Sequence, residues 1–207
     1  MAAVVKVNLG CGPKGLEGWV NLDKTWKVYL SRFPWLRFPL RVLAALGLVR
    51  PIAPGEEIPA QLGVRRHDVT RGLPFSDGEV DYIYTSHMLE HLPRDKAEFV
   101  LRECYRVLKT GGVLRIAVPD LWLLVEDYVK SKRAGDTAAA DRFVESLKLP
   151  GVERSRPLVN RILSRGHQWL YDFDSLAGRL HHAGFRVVRR CRPGEEEVPD
   201  LELLDEG

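Results

Sequence analysis

The sequence predicts an α/β fold: a mostly parallel sheet with helices on both faces. Two observations carry this. Short apolar runs of strand length alternate with segments of helical periodicity, the pattern of parallel strands joined by helical crossovers. Glycines or polar residues (Asp23, Asp68, Ser86) follow these runs, and in open α/β sheets ligands bind at the carboxyl ends of the strands. The arrangement is Rossmann-like, with a first crossover helix that is missing or very short. At 207 residues the chain suits one domain with a proper core and is too short for two ordinary ones. That single domain covers 1–207, with an apolar insert at about 24–63 and a helical, cap-like region at about 121–172.

Val4 to Leu9 is a short apolar strand ending in glycines, and Trp19 to Leu22 is a second, ending in Asp23. Lys24 to Gly63 contains no obvious strand. Val64 to Val69 reads as the third strand and Val80 to Thr85 as the fourth. From about Asp95 to Lys109, Phe99, Val100, Cys104, Val107 and Leu108 recur at helical spacing, after Pro93 and before Gly111-Gly112. Val113 to Val118 is the fifth strand. Helices follow over Leu121–Lys132, Thr137–Lys148 and Phe173–Ala183, the last stopped by Gly184. Phe185 to Cys191 is predicted as a sixth strand, followed by a polar tail.

The net charge of +3 is small, and a nucleic-acid binder usually concentrates a basic face. No nucleic-acid partner is expected. Arg154, Arg156, Arg161 and Arg165, and again Arg186, Arg189, Arg190 and Arg192, read as solvated faces. Cys11, Cys104 and Cys191 show no metal-ligand spacing, which points to reduced thiols in a cytoplasmic protein, and no metal is expected. No signal peptide precedes the first strand, and no apolar stretch reaches the roughly 18 residues of a membrane span.

Gly10-Cys11-Gly12-Pro13-Lys14-Gly15 matches the dinucleotide fingerprint by its letters. The spacing argues otherwise. That fingerprint needs a helix after the glycines and an acid about 20 residues further on. Asp23 follows within a few residues, and Pro13 and Gly18 interrupt any helix. No helix N-terminus is left to hold a pyrophosphate. A cofactor without phosphates needs none, and S-adenosyl-L-methionine has none. Asp23 is placed to accept from both ribose hydroxyls. Asp68 is placed to accept from the adenine amine, with the Val69 amide on a ring nitrogen.

These residues carry a resemblance. Asn8-Leu9-Gly10-Cys11-Gly12, Asp68 followed by Leu73-Pro74-Phe75, Asp81-Tyr82-Ile83-Tyr84 followed by Leu89-Glu90-His91-Leu92, and Arg106-Val107-Leu108-Lys109-Thr110-Gly111-Gly112 together resemble the class I S-adenosylmethionine-dependent methyltransferases of the type 11, small-molecule group. The resemblance covers most of residues 5 to 120 and implies cofactor contacts for Gly10, Gly12, Asp23, Asp68, Val69 and Ser86, with Asn8 and Cys11 in the same loop. Three departures stand out. Asn8 stands where the family usually has Asp or Glu toward the cofactor's amino group. The first crossover is too short for the family's first helix. The family's last strand would follow Leu204, so the sheet is expected to be truncated or abbreviated, leaving strand six at an edge.

The insert has three readings. Trp26 to Val49 is rich in Trp, Phe and Leu, with interspersed Lys27, Arg32, Arg37 and Arg41. It could make peripheral contact with a membrane through 26–49, without stable insertion. It could be a mobile lid. The favoured expectation is that it covers the sheet face left bare by the missing helix and borders the pocket.

Methyl transfer from a sulfonium is an in-line displacement, so the protein mainly aligns the acceptor and excludes water. A base is needed only where the acceptor loses a proton. Ser86 is a candidate N-cap for a short turn from His87 to Leu92, on which His87 and His91, four apart, share a face. Both are catalytic candidates, His87 as the base and His91 more as a residue shaping the pocket. His167, Trp169 and Tyr171 form a cluster suited to a substrate wall. The expected activity is methyl transfer to a small-molecule acceptor, with a non-catalytic S-adenosylmethionine-binding sensor or partner as the alternative. An NAD-dependent oxidoreductase is disfavoured by the short crossover. The acceptor atom and the oligomeric state are left open by the sequence.

Overall fold

The computed structural model describes residues 3–12, 15–24, 35, 37–46, 63–149, 166–191 and 198. Much of the insert, the Arg154–Arg165 cluster, and Arg192 with nearly all of the polar tail lie outside these residues. The strands are β1 (Lys6–Leu9), β2 (Val20–Asp23), β3 (Arg65–Arg66), β4 (Val80–Ser86) and β5 (Leu108–Ala117). They form one parallel sheet in the order β3-β2-β1-β4-β5. The helices are α1 (Arg37–Ala45), α2 (Arg94–Val107), α3 (Leu121–Arg133), α4 (Ala139–Ser146) and α5 (Phe173–Ala183). The chain is α/β and Rossmann-like, and its strand order reverses direction between β1 and β4.

The period-2 alternation of the strands decides what each face carries. Val7, Leu9, Leu22 and Ile83 turn to one face and pack against Val100, Cys104 and Val107 of α2. The opposite face carries Asn8, Asn21, Tyr82, Tyr84 and Val113, and it is covered by Leu16, Trp19 and Val198. The described part of the connection from β1 to β2 contains no helix, as the spacing predicts.

A single amide holds this connection down. Asn21 is buried on β2; its Oδ1 accepts from the Leu16 amide at 2.9 Å and from Asn8 Nδ2 at 3.3 Å. Its Nδ2 donates to the carbonyls of Leu16 at 2.9 Å and Trp19 at 3.2 Å. Backbone groups that a helix would satisfy internally are thus satisfied by one side chain.

Several expectations are corrected. The sixth strand is not formed; residues 185–191 pair with no strand among the described residues. Phe185 and Val188 pack inward while Val187 is 84% exposed, so the inward spacing is three and cannot be a strand's two. β3 is cut to two residues because Asp68 diverts the chain, its Oδ1 accepting from the amide of Thr70 and capping a turn over Val69–Arg71. Helix α2 ends at Val107, and Gly111-Gly112 lie within β5. The register jumps there from Val80↔Leu108 to Tyr82↔Val113, so the extra residues bulge, and a Cβ on Gly112 would meet the Asp81 and Lys109 carbonyls at 3.0 Å.

The insert's described part also departs from the favoured expectation. Trp35, Phe38, Val42 and Leu46 are exposed on and beside α1, so they do not cover the sheet face. Leu16 and Trp19 do that from the short connection itself. Pro39 does not break α1, since a first-turn proline forfeits no intrahelical bond.

Replacing Asn21 with Leu removes the acceptor of the Leu16 amide and the side-chain donor to the Leu16 and Trp19 carbonyls, leaving the Leu16 carbonyl its bond from the Trp19 amide. The expected loss is about 2–3 kcal/mol, from buried polar groups left unpaired. Urea unfolding of the variant measures it, and an unchanged midpoint would show that the connection is held by other contacts.

Candidate functional site

The glycine loop sits where the sheet order reverses. Gly10 and Gly12 have φ of +69° and +54°, a region that favours glycine. The Gly10 amide donates to the Leu22 carbonyl at 2.8 Å, and the Gly12 amide donates to Asp23 Oδ2 at 2.7 Å. A Cβ on Gly12 would meet nothing within 4 Å, so the loop presents bare backbone to open space. A Cβ on Gly10 would lie 2.4 Å from Met88 Cγ, so loop and post-β4 turn are in close contact. Asn8 is turned to Asn21 within the opposite sheet face. Burial, with the charge of Asp23 beside it, pushes the Cys11 thiol up to about 12, so it stays protonated at neutral pH.

Asp68 lies beyond β3, next along the same carboxyl edge. Its Oδ2 is 2.7 Å from Lys24 Nζ, and its Oδ1 accepts from the Thr70 hydroxyl at 2.7 Å. Burial works to raise its pKa, but the hydrogen bonds from Lys24 and Thr70 and the Lys24 charge outweigh this and hold it at about 2. Val69, whose side chain is buried, opens the turn that Asp68 caps.

β4 delivers the second half of the site. Ser86 is its last residue. His87 follows with φ of +50°, and its amide donates to the Ala117 carbonyl at 3.0 Å. Ser86 is not an N-cap: the short turn spans Leu89–His91, and Met88 stands before it with no side-chain cap. His87 and His91 therefore do not share a helical face. Glu90 instead joins His87 to His167. It is completely buried, and its Oε1 is 3.1 Å from His87 Nδ1 and 3.9 Å from His167 Nε2. Its backbone carbonyl accepts from the amides of Gln168 at 2.7 Å and Trp169 at 3.2 Å. His91 Nδ1 is 3.4 Å from the Gly166 carbonyl, and its ring meets that of His167 edge-on at 5.0 Å. Burial lowers the His167 pKa; Glu90 and the Leu147 backbone oppose this, and His91 and Lys148 add to it.

The expected substrate wall is divided. His167 and Tyr171 point inward and are buried, Tyr171 among Leu89, Leu101 and Leu180. Trp169 is half-exposed, with the guanidinium groups of Arg94 and Arg179 over its ring at 5.4 and 5.6 Å.

Residues 49–116 match a family model described as a methyltransferase domain. Over these residues the chain is similar to that family. Over 55 residues it is 42% identical to a probable S-adenosylmethionine-dependent methyltransferase of Mycolicibacterium smegmatis, a match covering 27% of this chain. It spans about a fifth (21%) of that protein's length. Among solved structures it is similar to an S-adenosylmethionine-dependent methyltransferase of Methanosarcina mazei, at 15% identity and a TM-score of 0.49, over 91% of this chain and 83% of that one. A second, from Mesorhizobium loti, is 14% identical with a TM-score of 0.48, over 91% of this chain and 76% of that one.

The cofactor in the names of these similar proteins is S-adenosyl-L-methionine. The residues present fit it. Glycine backbone faces open space at Gly12, a carboxylate stands at the end of β2, and the described part of the loop offers no helix N-terminus to a pyrophosphate.

Two residues of the site were not singled out from the sequence. Glu90 lay within a quoted motif, and its signal is a lone carboxylate in the otherwise apolar run Met88-Leu89-Glu90-His91-Leu92. Lys24, the partner of Asp68, directly follows the β2 carboxylate and could have been read as its neighbour's counter-ion.

Asp68 gives the chain a defined acid response. Its folded pKa lies below the ordinary 3.8, so its pairing is fully stabilising above about pH 4 and is lost as pH falls toward 2. In Asp68→Asn this contribution is absent. The stability lost between pH 4 and pH 2, measured by thermal unfolding, is therefore expected to be smaller than in the unaltered chain; parallel losses would show that Asp68 does not supply it.

Proposed function

We propose that the chain transfers a methyl group from S-adenosyl-L-methionine to a metabolite-sized acceptor, such as a sugar or a lipid-linked intermediate. The observation that carries this reading is the Gly12–Asp23 contact at the reversal of the sheet, beside bare glycine backbone. Asp23 would accept from the ribose hydroxyls while keeping Gly12 in place. Asp68 and the Val69 amide would read the adenine, Asp68 exchanging its Lys24 contact for the amine. Asn8, Gly10, Cys11 and Ser86 would complete the pocket. Bound S-adenosyl-L-methionine supplies a methyl carbon already activated by its sulfonium.

The remaining work is alignment and proton removal. His87 is 60% exposed, and its Nδ1 side is directed to Glu90. With the proton held on Nδ1, Nε2 keeps its lone pair for an acceptor hydroxyl or amine. His91, His167 and Trp169 would border the acceptor, with Tyr171 supporting them from the core. The whole chain is read as one domain. No helix among the described residues is long and apolar enough to cross a membrane, and the described cysteines are free; a cytoplasmic location is part of the proposal. A cofactor-binding sensor without catalysis is the second reading, favoured by the use of Asn8 to bind Asn21 where a carboxylate would be expected.

Thermal shift separates the cofactors. S-adenosylhomocysteine at a hundred times its dissociation constant should add about 2.7 kcal/mol, and Asp23→Ala should weaken its binding roughly 10- to 100-fold through loss of charged hydrogen bonds. Stabilisation by NAD alone would overturn the proposal. His87→Ala should retain S-adenosylhomocysteine binding and lose about 100-fold or more in turnover of a proton-losing acceptor. Unchanged turnover would remove His87 as the base.

A further inference from the structure

The turn after β4 and the segment from Gly166 to Trp169 bring together a donor set for a cation, a role the methyl-transfer reading does not give these residues. One ligand atom each from Glu90, His91 and His167 lies within 4.8 Å of the other two. Glu90 is fully buried and His167 is 3% exposed. Glu90 Oε1 is shared between His87 at 3.1 Å and His167 at 3.9 Å, while Oε2 has no hydrogen-bond partner. A buried carboxylate oxygen without a donor carries a desolvation cost that a hydrogen bond or a cation must offset.

The surrounding backbone holds this set rigidly. Gln168 and Trp169 donate to the Glu90 carbonyl, His91 contacts the Gly166 carbonyl, and the His167 amide donates to Lys148. Residues far apart in the chain therefore arrive at fixed positions, as metal ligands must. Two imidazoles and one carboxylate are a nitrogen and oxygen donor set suited to Zn²⁺ and similar divalent cations. Ligand atoms on a tetrahedral ion stand closer together than 4.8 Å, so small rotamer adjustments would close the set. His91 is half-buried and His87 is exposed, which leaves a route from solvent.

We propose that Glu90, His91 and His167 bind one divalent transition cation of the Zn²⁺ class, with His87 at the rim of the site. The cation pairs with the buried Glu90 carboxylate and ties the turn after β4 to the segment beginning at Gly166. With three protein ligands it keeps a coordination position open toward the proposed acceptor side, where an oxygen or nitrogen of the acceptor could enter. This last point rests on the methyl-transfer reading; the binding itself does not.

The test uses metal alone. Full-length chain stripped with chelator is titrated with Zn²⁺ by calorimetry, and with Co²⁺ by visible absorption. The expected result is one equivalent per chain, a rise in Tm, and Co²⁺ bands of nitrogen and oxygen ligation without thiolate charge transfer. Glu90→Gln and His167→Gln should each weaken Zn²⁺ binding at least tenfold, while His181→Ala/His182→Ala, which alters the exposed pair on α5, should leave it unchanged. If a site variant does not fold, the Co²⁺ spectrum of the unaltered chain decides. No saturable binding, thiolate bands, or loss of binding in the His181/His182 variant would each overturn the proposal. S-adenosylhomocysteine binding, measured with and without Zn²⁺, reports on the methyl-transfer reading separately.

Discussion

The fold depends on how β1 and β2 are joined. β1 is paired on both sides, to β2 and to β4, and parallel neighbours need a crossover between them. Here that crossover is residues 10–19, between Leu9 and Val20, and it has no room for the usual helix. Asn21 makes the short form workable by satisfying Leu16 and Trp19 with its own amide. Leu16 and Trp19 then pack against Tyr82 and Tyr84 and close a sheet face that would otherwise be wet. The same shortness brings Asp23 within reach of the Gly12 amide. The fold and the proposed cofactor preference thus have one origin: the crossover too short for a phosphate-binding helix is the one that sets a carboxylate beside the glycines.

A second set of contacts shows that family-like letters can be structural. Arg106 grips Glu103 with two nitrogens, at 2.7 and 2.8 Å, and reaches the carbonyls of Leu73 and Phe75. Glu103 in turn accepts from the Leu73 amide at 2.8 Å. The run Leu73-Pro74-Phe75 and the Arg106 that begins the next quoted motif are therefore two ends of one clamp. It fixes the loop before β4 on α2, and so fixes the level at which β4 ends and the site begins.

Much of this was legible in the sequence, and the rest was not for identifiable reasons. α5 was read to the residue because its stops are local: Asp172 and Ser175 form a capping box, and Gly184 takes the left-handed conformation, where a Cβ would meet the Tyr105 ring at 2.7 Å. β1, β2 and β4 were legible as short apolar runs, and Asp23 from its place at a strand end. β3 was overestimated because an Asp that caps a turn has the same letters around it as one that ends a strand. The sixth strand failed because an apolar run specifies packing, whereas a strand also needs a neighbour to pair with. The described part of the insert departs from expectation because apolar composition alone does not say what an amphipathic helix faces. Glu90 was passed over because its importance lies in burial and in contacts made across a long stretch of chain, and no local pattern encodes either.

The contact between Gly10 and Met88 has a wider consequence. Met88 stands between His87 and Glu90 in the chain, and its side chain fills the space where a Cβ on Gly10 would be. The two loops are therefore not independent parts mounted on a common sheet. They are meshed, like two teeth, so a displacement of either glycine or methionine is handed to the other. A shift of the Gly10 loop is thus passed through the Met88 side chain to the turn that carries His87 and His91.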